Sequence, residues 1–125
     1  MSWTRPKSSR RTVLAGLAAS FALGAAAAEE LTFNLRIEKG RVPADLQLVR
    51  VKQGDVVKLR WSADRRMILH LHGYDLEKTV EPGTLTEMAF TARATGRFPI
   101  VPHIPQAAGG HGHGDALVTI EVYPR

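Results

Sequence analysis

The sequence predicts an all-β protein, a single β-sandwich of about seven short strands. Apolar and polar residues alternate with a period of two in several segments, which is the pattern of strands that bury one face. Glycine, proline and aspartate residues separate these segments at close spacing. Beyond residue 28, no segment keeps a helical period over three turns. A sandwich of short strands satisfies these observations together.

The predicted strands follow one another through the chain and are separated by short turns. The alternation is clearest in Val56–Trp61, where Val57, Leu59 and Trp61 form the inward set. The predicted strands are residues 31–38, 46–52, 56–61, 67–75, 84–93, 97–101 and 116–122. The fourth range includes the turn that ends its strand.

Two prolines mark the sixth predicted strand, residues 97–101. Pro99 lies within it and Pro102 directly after it. Proline has no backbone N–H to give to a sheet ladder and is therefore found at edges or bulges. We expect this strand to be irregular or to lie at an edge.

The fourth predicted strand carries two histidines near the middle of the chain. Residues two apart on a strand share a face, so Ile68, His70, His72 and Tyr74 are predicted to lie on one face. Neighbours on that face are roughly 6.5–7 Å apart along the strand. Two imidazoles at that spacing can lean toward one metal ion or can line a solvated face of the sheet. Both alternatives are open at this point.

Three further histidines follow, His103 in a proline-rich segment and the other two in the Gly/His-rich loop 109–114. Neutral imidazoles suit Cu(II), Zn and Ni, and affinity for a given nitrogen site is highest for Cu(II). Histidines in a solvated loop without an ordered ligand role are the alternative. The candidate metal ligands are His70, His72, His103, His111 and His113.

The first 28 residues have the features of an export signal. A basic segment precedes an apolar run, and Ala25–Ala28 offers a cleavage site of the A-x-A kind. We therefore expect a periplasmic or secreted mature chain that begins near Glu29, with one domain over residues 29–125. The pair Arg10-Arg11 resembles the twin-arginine export motif, and a Sec signal that happens to carry two arginines is the alternative.

The positive charge is concentrated in this N-terminal segment. The formal net charge is +5, but residues 1–28 hold four basic and no acidic residues, which leaves 13 basic and 12 acidic ones. A nearly neutral domain without a basic stripe gives no support for binding nucleic acid. The apolar run is also short for a transmembrane helix, so no stable membrane span is expected after cleavage.

Cysteine is absent from the chain. This excludes a thiolate nucleophile, a thiolate metal ligand and a disulfide. The sequence also contains no phosphate-binding loop, dinucleotide motif or nucleophile-elbow signature. We expect a protein that is not an enzyme.

The order of these elements resembles that of the cupredoxins over residues 31–123. The resemblance implies a Greek-key β-sandwich whose metal site uses the loop before the last strand and a histidine upstream. His103 matches the loop histidine of that family, and either His70 or His72 matches the upstream one. The segments that carry the resemblance are Val51–Trp61, Pro82-Gly83-Thr84 and Thr95–Phe98.

The chain departs from the electron-carrying cupredoxins, which place Cys, His and Met in that loop. Here Ile100 occupies the cysteine position and no methionine follows His103. A blue-copper site needs a thiolate in a His₂Cys arrangement, so this chain cannot build one. The sequence predicts an exported protein that binds a divalent metal, copper first and zinc as the second choice, for copper handling. A metal-free scaffold that binds an exported protein partner is the alternative.

The lack of cysteine predicts the colour of the copper-loaded protein. Addition of Cu(II) should give no intense blue charge-transfer band, because that band requires a copper–thiolate bond. A visible absorption spectrum of the purified chain with equimolar Cu(II) checks this. An intense blue band would contradict the assignment of a site without sulfur ligands.

Overall fold

The computed structural model describes residues 27–105, 111–113 and 115–125, without the side chains of residues 104, 105 and 111–113. The expected export signal, residues 1–28, lies outside the described residues except for Ala27 and Ala28. The strands are β1 Glu30–Ile37, β2 Leu48–Lys52, β3 Val56–Ala63, β4 Met67–Leu71, β5 Leu76–Val80, β6 Thr86–Thr91, β7 Gly96–Pro105, β8 His111–His113 and β9 Val118–Tyr123. A short 3-10 helix, Ala44–Leu46, precedes β2.

The strands form two sheets. The smaller sheet has the order β1-β3-β6, and the larger has the order β2-β9-β7-β4-β5 with β8 beside β7. The pairs β1/β3 and β2/β9 are parallel, whereas the other pairs are antiparallel. The predicted all-β Greek-key sandwich is confirmed. Strands β5 and β8 are additional to the seven that the sequence predicted.

The hydrophobic core contains side chains from both sheets. Val57, Leu59 and Trp61 of β3, which were predicted to point inward, are each 0% exposed. Leu69 and Leu71 of β4 belong to the same buried cluster. Each fully buried side chain of this size contributes about 1.5–3 kcal/mol relative to an exposed one. The core therefore supports the fold in a chain without disulfides.

Strand β7 lies between β4 and β9 in the larger sheet, so the prediction of an irregular or edge strand was wrong. The carbonyl of Pro99 accepts the N–H of His72 at 3.0 Å, just beyond the end of β4. The nitrogen of Pro99, which has no hydrogen to donate, thus lies where the pairing between β4 and β7 ends. The carbonyl of Ile100 accepts the N–H of Leu117, so it points away from β4. The backbone nitrogen of Pro102, two residues further along the strand, points to the same side. Along β7, pairing with β9 ends at Ile100 and pairing with β8 begins at His103. The nitrogen of Pro102, which has no hydrogen to donate, therefore faces the gap between β9 and β8.

A buried aspartate ties both ends of the described domain to the β2–β3 turn. Asp55 is 2% exposed. Its Oδ2 accepts the N–H of Lys52 at 2.9 Å, and its Oδ1 accepts the N–H of Glu29 at 3.1 Å. Oδ1 also accepts a hydrogen bond from the guanidinium of Arg125, which in turn donates to the carbonyl of Gln53 at 2.9 Å. We refer to these five residues as the Asp55 clasp.

The clasp keeps Asp55 ionised. Burial raises the pKa of the Asp55 carboxyl, but the N–H groups of Lys52 and Glu29 and the charge of Arg125 together hold that pKa below its ordinary value. A carboxyl with a depressed folded-state pKa stabilises the fold above its unfolded pKa of about 3.9. That stabilisation is lost as the pH falls through the folded-state pKa.

We expect Asp55→Asn to lower the free energy of unfolding by about 2–3 kcal/mol at pH 7, because an amide cannot satisfy three donors at once. Urea unfolding at pH 7 and pH 3 measures the effect, which should begin to shrink below about pH 4 and disappear as the pH falls through the lower folded-state pKa of the wild-type carboxyl. Asp45→Asn is the matched control, since Asp45 is exposed in the 3-10 helix, and it should change the stability by less than about 0.5 kcal/mol. Equal losses for the two variants would contradict the clasp.

Candidate metal centre

Two histidines lie together at the end of β4. Leu69 and Leu71 occupy the core face of this strand, so His70 and His72 lie on the outer face. The ring centroids of the two imidazoles are 4.5 Å apart, and the ring planes are tilted by 59°. Both residues are half-buried. The predicted shared face is thus present, and the rings are closer than the backbone spacing alone requires.

The turn after this pair fixes the position of His72. Gly73 has a φ of +89°, in the left-handed region that side chains rarely adopt. A Cβ at Gly73 would lie 2.5 Å from Cδ1 of Phe98, which is closer than packed atoms allow. Asp75 is also left-handed, with a φ of +53°, and aspartate tolerates that region better than most residues. The chain therefore reverses tightly into β5 while His72 stays bonded to the carbonyl of Pro99.

Tyr74 packs against the core and not beside the histidines, so the prediction of a shared face was wrong for this residue. Its ring centroid is 4.9 Å from those of Phe90 and Phe98. Its hydroxyl meets the backbone N–H and carbonyl of Ala94, each at 3.3 Å. The alternation failed because β4 ends at Leu71 and the turn redirects the next side chains. In the segment His70-Leu71-His72-Gly73-Tyr74-Asp75, the last three residues are thus accounted for by the structure of the turn.

His103 lies within β7, and not in a loop. The register places His103 opposite Ile68 and Val101 opposite His70. Diagonal positions across an antiparallel pair are about 7–8 Å apart, so His103 is a diagonal neighbour of His70. His72 lies on the other side of His70, two residues further along the chain. His70 is therefore the central member of the three.

The immediate neighbours of His70 across the sheet are Val101 and a carboxylate, Glu77 of β5. Val101 is 7% exposed although it is not part of the core cluster, so the outer face is shielded from solvent at this point. The sequence did not predict β5 and therefore missed Glu77. In that segment Leu76 and Val80 are the only apolar residues, and three polar residues separate them. The alternation that identifies a strand in a sequence is therefore absent.

His111 and His113 belong to β8, which pairs with β7 in the antiparallel direction. The register places His113 opposite His103 and His111 opposite Pro105. Part of the predicted 109–114 loop is thus a short strand. The contribution of these two residues to a metal site stays a prediction, because the structure describes their backbone and not their side chains.

Among the side chains that the structure describes, no three His, Asp or Glu residues are grouped so as to hold a metal ion. His70 and His72 supply two neighbouring imidazoles, and a third protein ligand would come from His103 or from β8. The donor chemistry fits copper or zinc, since both accept neutral imidazole nitrogens. The complete ligand set stays a prediction.

Solved structures of copper proteins share this architecture. A multi-copper oxidase from Pseudomonas thermotolerans matches with a TM-score of 0.57 and 21% identity, over 79% of this chain and 31% of that chain. A copper binding protein in its apo form matches with a TM-score of 0.56 and 10% identity, over 74% of this chain and 87% of that one. The chain has a cupredoxin-like fold. Subunit II of a cytochrome c oxidase, solved as a mixed disulfide with a thioredoxin-like TlpA, matches with a TM-score of 0.54 and 18% identity, over 75% of this chain and 82% of that one.

These similarities show the cupredoxin-like fold alone, because identities of 10–23% carry no further assignment. No protein-family profile and no curated protein matches the sequence. This chain spans 64% of a heme-copper terminal oxidase chain and 31% of the multi-copper oxidase, less than two-thirds of either length. In the described part of the chain, we find no helix with the length and apolar character needed to cross a membrane.

The turn next to His72 should be intolerant of any side chain at residue 73. Gly73→Ala combines a left-handed φ with a collision against Phe98, so we expect the backbone cost of about 1–2 kcal/mol plus about 1–3 kcal/mol from overpacking. Gly83→Ala is the matched control, since Gly83 has a φ of +80° but a Cβ there meets no atom within 4 Å. Urea unfolding compares the two variants. Equal destabilisation would show that the contact with Phe98 does not constrain the turn.

Proposed function

We propose that this chain is an exported cupredoxin-like protein that binds a divalent metal through its histidines, with copper as the first choice and zinc as the second. Its role is copper handling and not blue-copper electron transfer. The observation that carries the proposal is the His70–His72 pair, with ring centroids 4.5 Å apart. Metal–imidazole bonds are about 2.0–2.1 Å long, so two nitrogens on one ion lie within about 4 Å of each other. Rotation of the two rings would have to bring one nitrogen of each into that range.

The position that the resemblance assigns to cysteine supports a site without sulfur. Ile100 occupies it and is 0% exposed in the core. The side chain there contributes to packing between the sheets, and the outer face of β7 carries His103 instead. A site on that face has nitrogen and oxygen donors, which hold Cu(II) or Zn(II) without the electronic structure of a blue-copper centre.

His70 is the residue through which a third ligand would join the pair. His103 is its diagonal neighbour, and β8 brings His113 opposite His103. The shielded Val101 beside His70 reduces competition from water, which strengthens a metal–nitrogen interaction there. Glu77 pairs with His70 in the register, and its carboxylate would offer an acceptor for an imidazole N–H if its side chain turned toward that ring.

The structural neighbours favour copper among the candidate metals, since two of those named above are a multi-copper oxidase and a copper binding protein. Copper also has the highest affinity in the divalent series for a nitrogen site. The basic and apolar segment at residues 1–28 supports export to the periplasm or beyond the cell.

A metal-free scaffold that binds another exported protein is the second candidate. It is favoured by the lack of a three-ligand group among the described side chains. The neighbour that is subunit II of a cytochrome c oxidase was solved joined to a thioredoxin-like protein, which gives one example of this fold in a protein complex.

Thermal and urea unfolding with Cu(II) or Zn(II) distinguishes these candidates. A specific site should stabilise the wild type by about 2.7 kcal/mol when the free metal is at a hundredfold excess over its dissociation constant. The stabilisation should fade below about pH 6, because ligand histidines must be deprotonated. His70→Ala and His72→Ala should each remove most of it at pH 7.5. His72→Ala keeps the backbone N–H that donates to the carbonyl of Pro99, so this substitution does not remove that hydrogen bond.

His111→Ala is the control for adventitious binding by the Gly/His-rich segment. Metal-induced stabilisation that survives in His70→Ala and His72→Ala but is lost in His111→Ala would contradict the proposed pair. No stabilisation of the wild type by either metal at pH 7.5 would favour the metal-free scaffold.

A further inference from the structure

The residue expected to begin the mature chain is the first one held by the sheet. Glu29 donates its backbone N–H to Oδ1 of Asp55 at 3.1 Å and accepts the N–H of Val56 through its carbonyl at 2.9 Å. The ladder between β1 and β3 begins at the next residue. Ala28 and Ala27 are exposed on the N-terminal side of this point. Backbone hydrogen bonds to the β2–β3 turn and to β3 thus begin at Glu29, directly after the bond between Ala28 and Glu29.

The acceptor of that N–H carries a negative charge. Asp55 is 2% exposed and ionised within the clasp, and its Oδ1 lies against the backbone nitrogen of Glu29. A carboxylate in this position stabilises an ammonium more than a neutral N–H, because the ammonium adds a Coulomb attraction between opposite charges in contact. The arrangement is matched to an α-ammonium group at residue 29.

We propose that the chain is cleaved between Ala28 and Glu29, and that the new α-ammonium of Glu29 docks on the Asp55 carboxylate as an N-terminal latch. An endopeptidase that removes export signals supplies the reaction. Hydrolysis breaks the C–N bond between the two residues, and the oxygen of water joins the Ala28 carbonyl to form a carboxylate. The Glu29 nitrogen takes up protons and becomes an ammonium. The inference rests on the expected export signal and is independent of the metal site.

The register of the contact makes the latch specific for one cleavage position. Cleavage one residue earlier would leave the ammonium on Ala28, one residue away from the nitrogen that contacts Asp55. Cleavage one residue later would remove Glu29 and its two backbone hydrogen bonds. Cleavage at the proposed bond also removes the Ala27 carbonyl, which accepts a bond from Arg125 at 3.2 Å. Arg125 then keeps its bonds to Asp55 and Gln53.

Some of the charged groups around residue 29 stabilise an α-ammonium there, and others destabilise it. Asp55 and the side chain of Glu29 favour an ammonium, whereas the cations that line the same surface pocket, Arg50, Lys52 and Arg125, oppose it. Tyr123 also lines this pocket and is neutral below about pH 10. Asp55 is in hydrogen-bond contact with the nitrogen, and Coulomb energy falls with distance, so its attraction is the largest single contribution.

The test compares two forms of the processed chain, residues 29–125, which contain all nine described strands. One form has a free α-amine on Glu29, and the other carries an Nα-acetyl group that keeps the N–H but removes the charge. Urea unfolding at pH 6.5 should give the free-amine form an equilibrium constant for folding about tenfold larger than that of the acetylated form, which corresponds to about one pKa unit.

The difference should depend on pH. An amine whose pKa is raised by folding stabilises the folded state at pH values below its unfolded pKa of about 7.7–8.0, and this contribution is lost as the pH rises through the folded-state pKa. The ratio should therefore fall toward one by about pH 10, while all other titrations are common to both forms and cancel.

Asp55→Asn should abolish the difference between the two forms at pH 6.5. If that variant does not fold, NMR titration of the wild-type α-amine decides the question, with a pKa above about 8.0 expected. Sequencing of the exported chain should begin at Glu29. A different first residue would overturn the cleavage position, and equal stability of the free and acetylated forms at pH 6.5 would overturn the latch.

Discussion

The register between β4 and β7 is the constraint on which the candidate metal centre depends. Leu69 and Leu71 pair with Pro102 and Ile100, and the leucines must point into the core. A slip of one residue would exchange the faces of β4, burying His70 and exposing the leucines. Because several kilocalories of hydrophobic burial oppose that slip, the outer-face position of the histidines is a consequence of core packing.

The absence of cysteine has two separate structural consequences. At the position that the resemblance assigns to cysteine, Ile100 takes part in the core, so the candidate metal ligands are the histidines on the outer face of the larger sheet. At the ends of the described domain, hydrogen bonds to Asp55 join distant segments, as in its contact with Arg125, which is 70 residues away in the sequence. In small secreted domains a disulfide often joins distant segments, and here hydrogen bonds to a buried carboxylate join them.

The His-x-His-Gly-Tyr-Asp segment shows how one motif can carry two kinds of information. Gly73 makes room for the ring of Phe98, and the hydroxyl of Tyr74 binds the backbone of Ala94. These residues serve the turn. His72 is positioned by that turn and contacts His70 through its ring. The histidine pair is thus the part of the segment that the turn does not account for, and the rest explains why the pair is held in place.

The sequence by itself determined the fold class, the inward set of β3 and the shared face of His70 and His72, because a period of two specifies local side-chain direction. It could not determine that Pro99 and Pro102 fit a central strand, since this depends on where the neighbouring strands end. It also could not place Glu77, His103 or His113 relative to His70, because those distances come from pairing between segments far apart in the chain. The tertiary structure decided these points through strand register, which packing of both sheets against one core selects and no local pattern encodes.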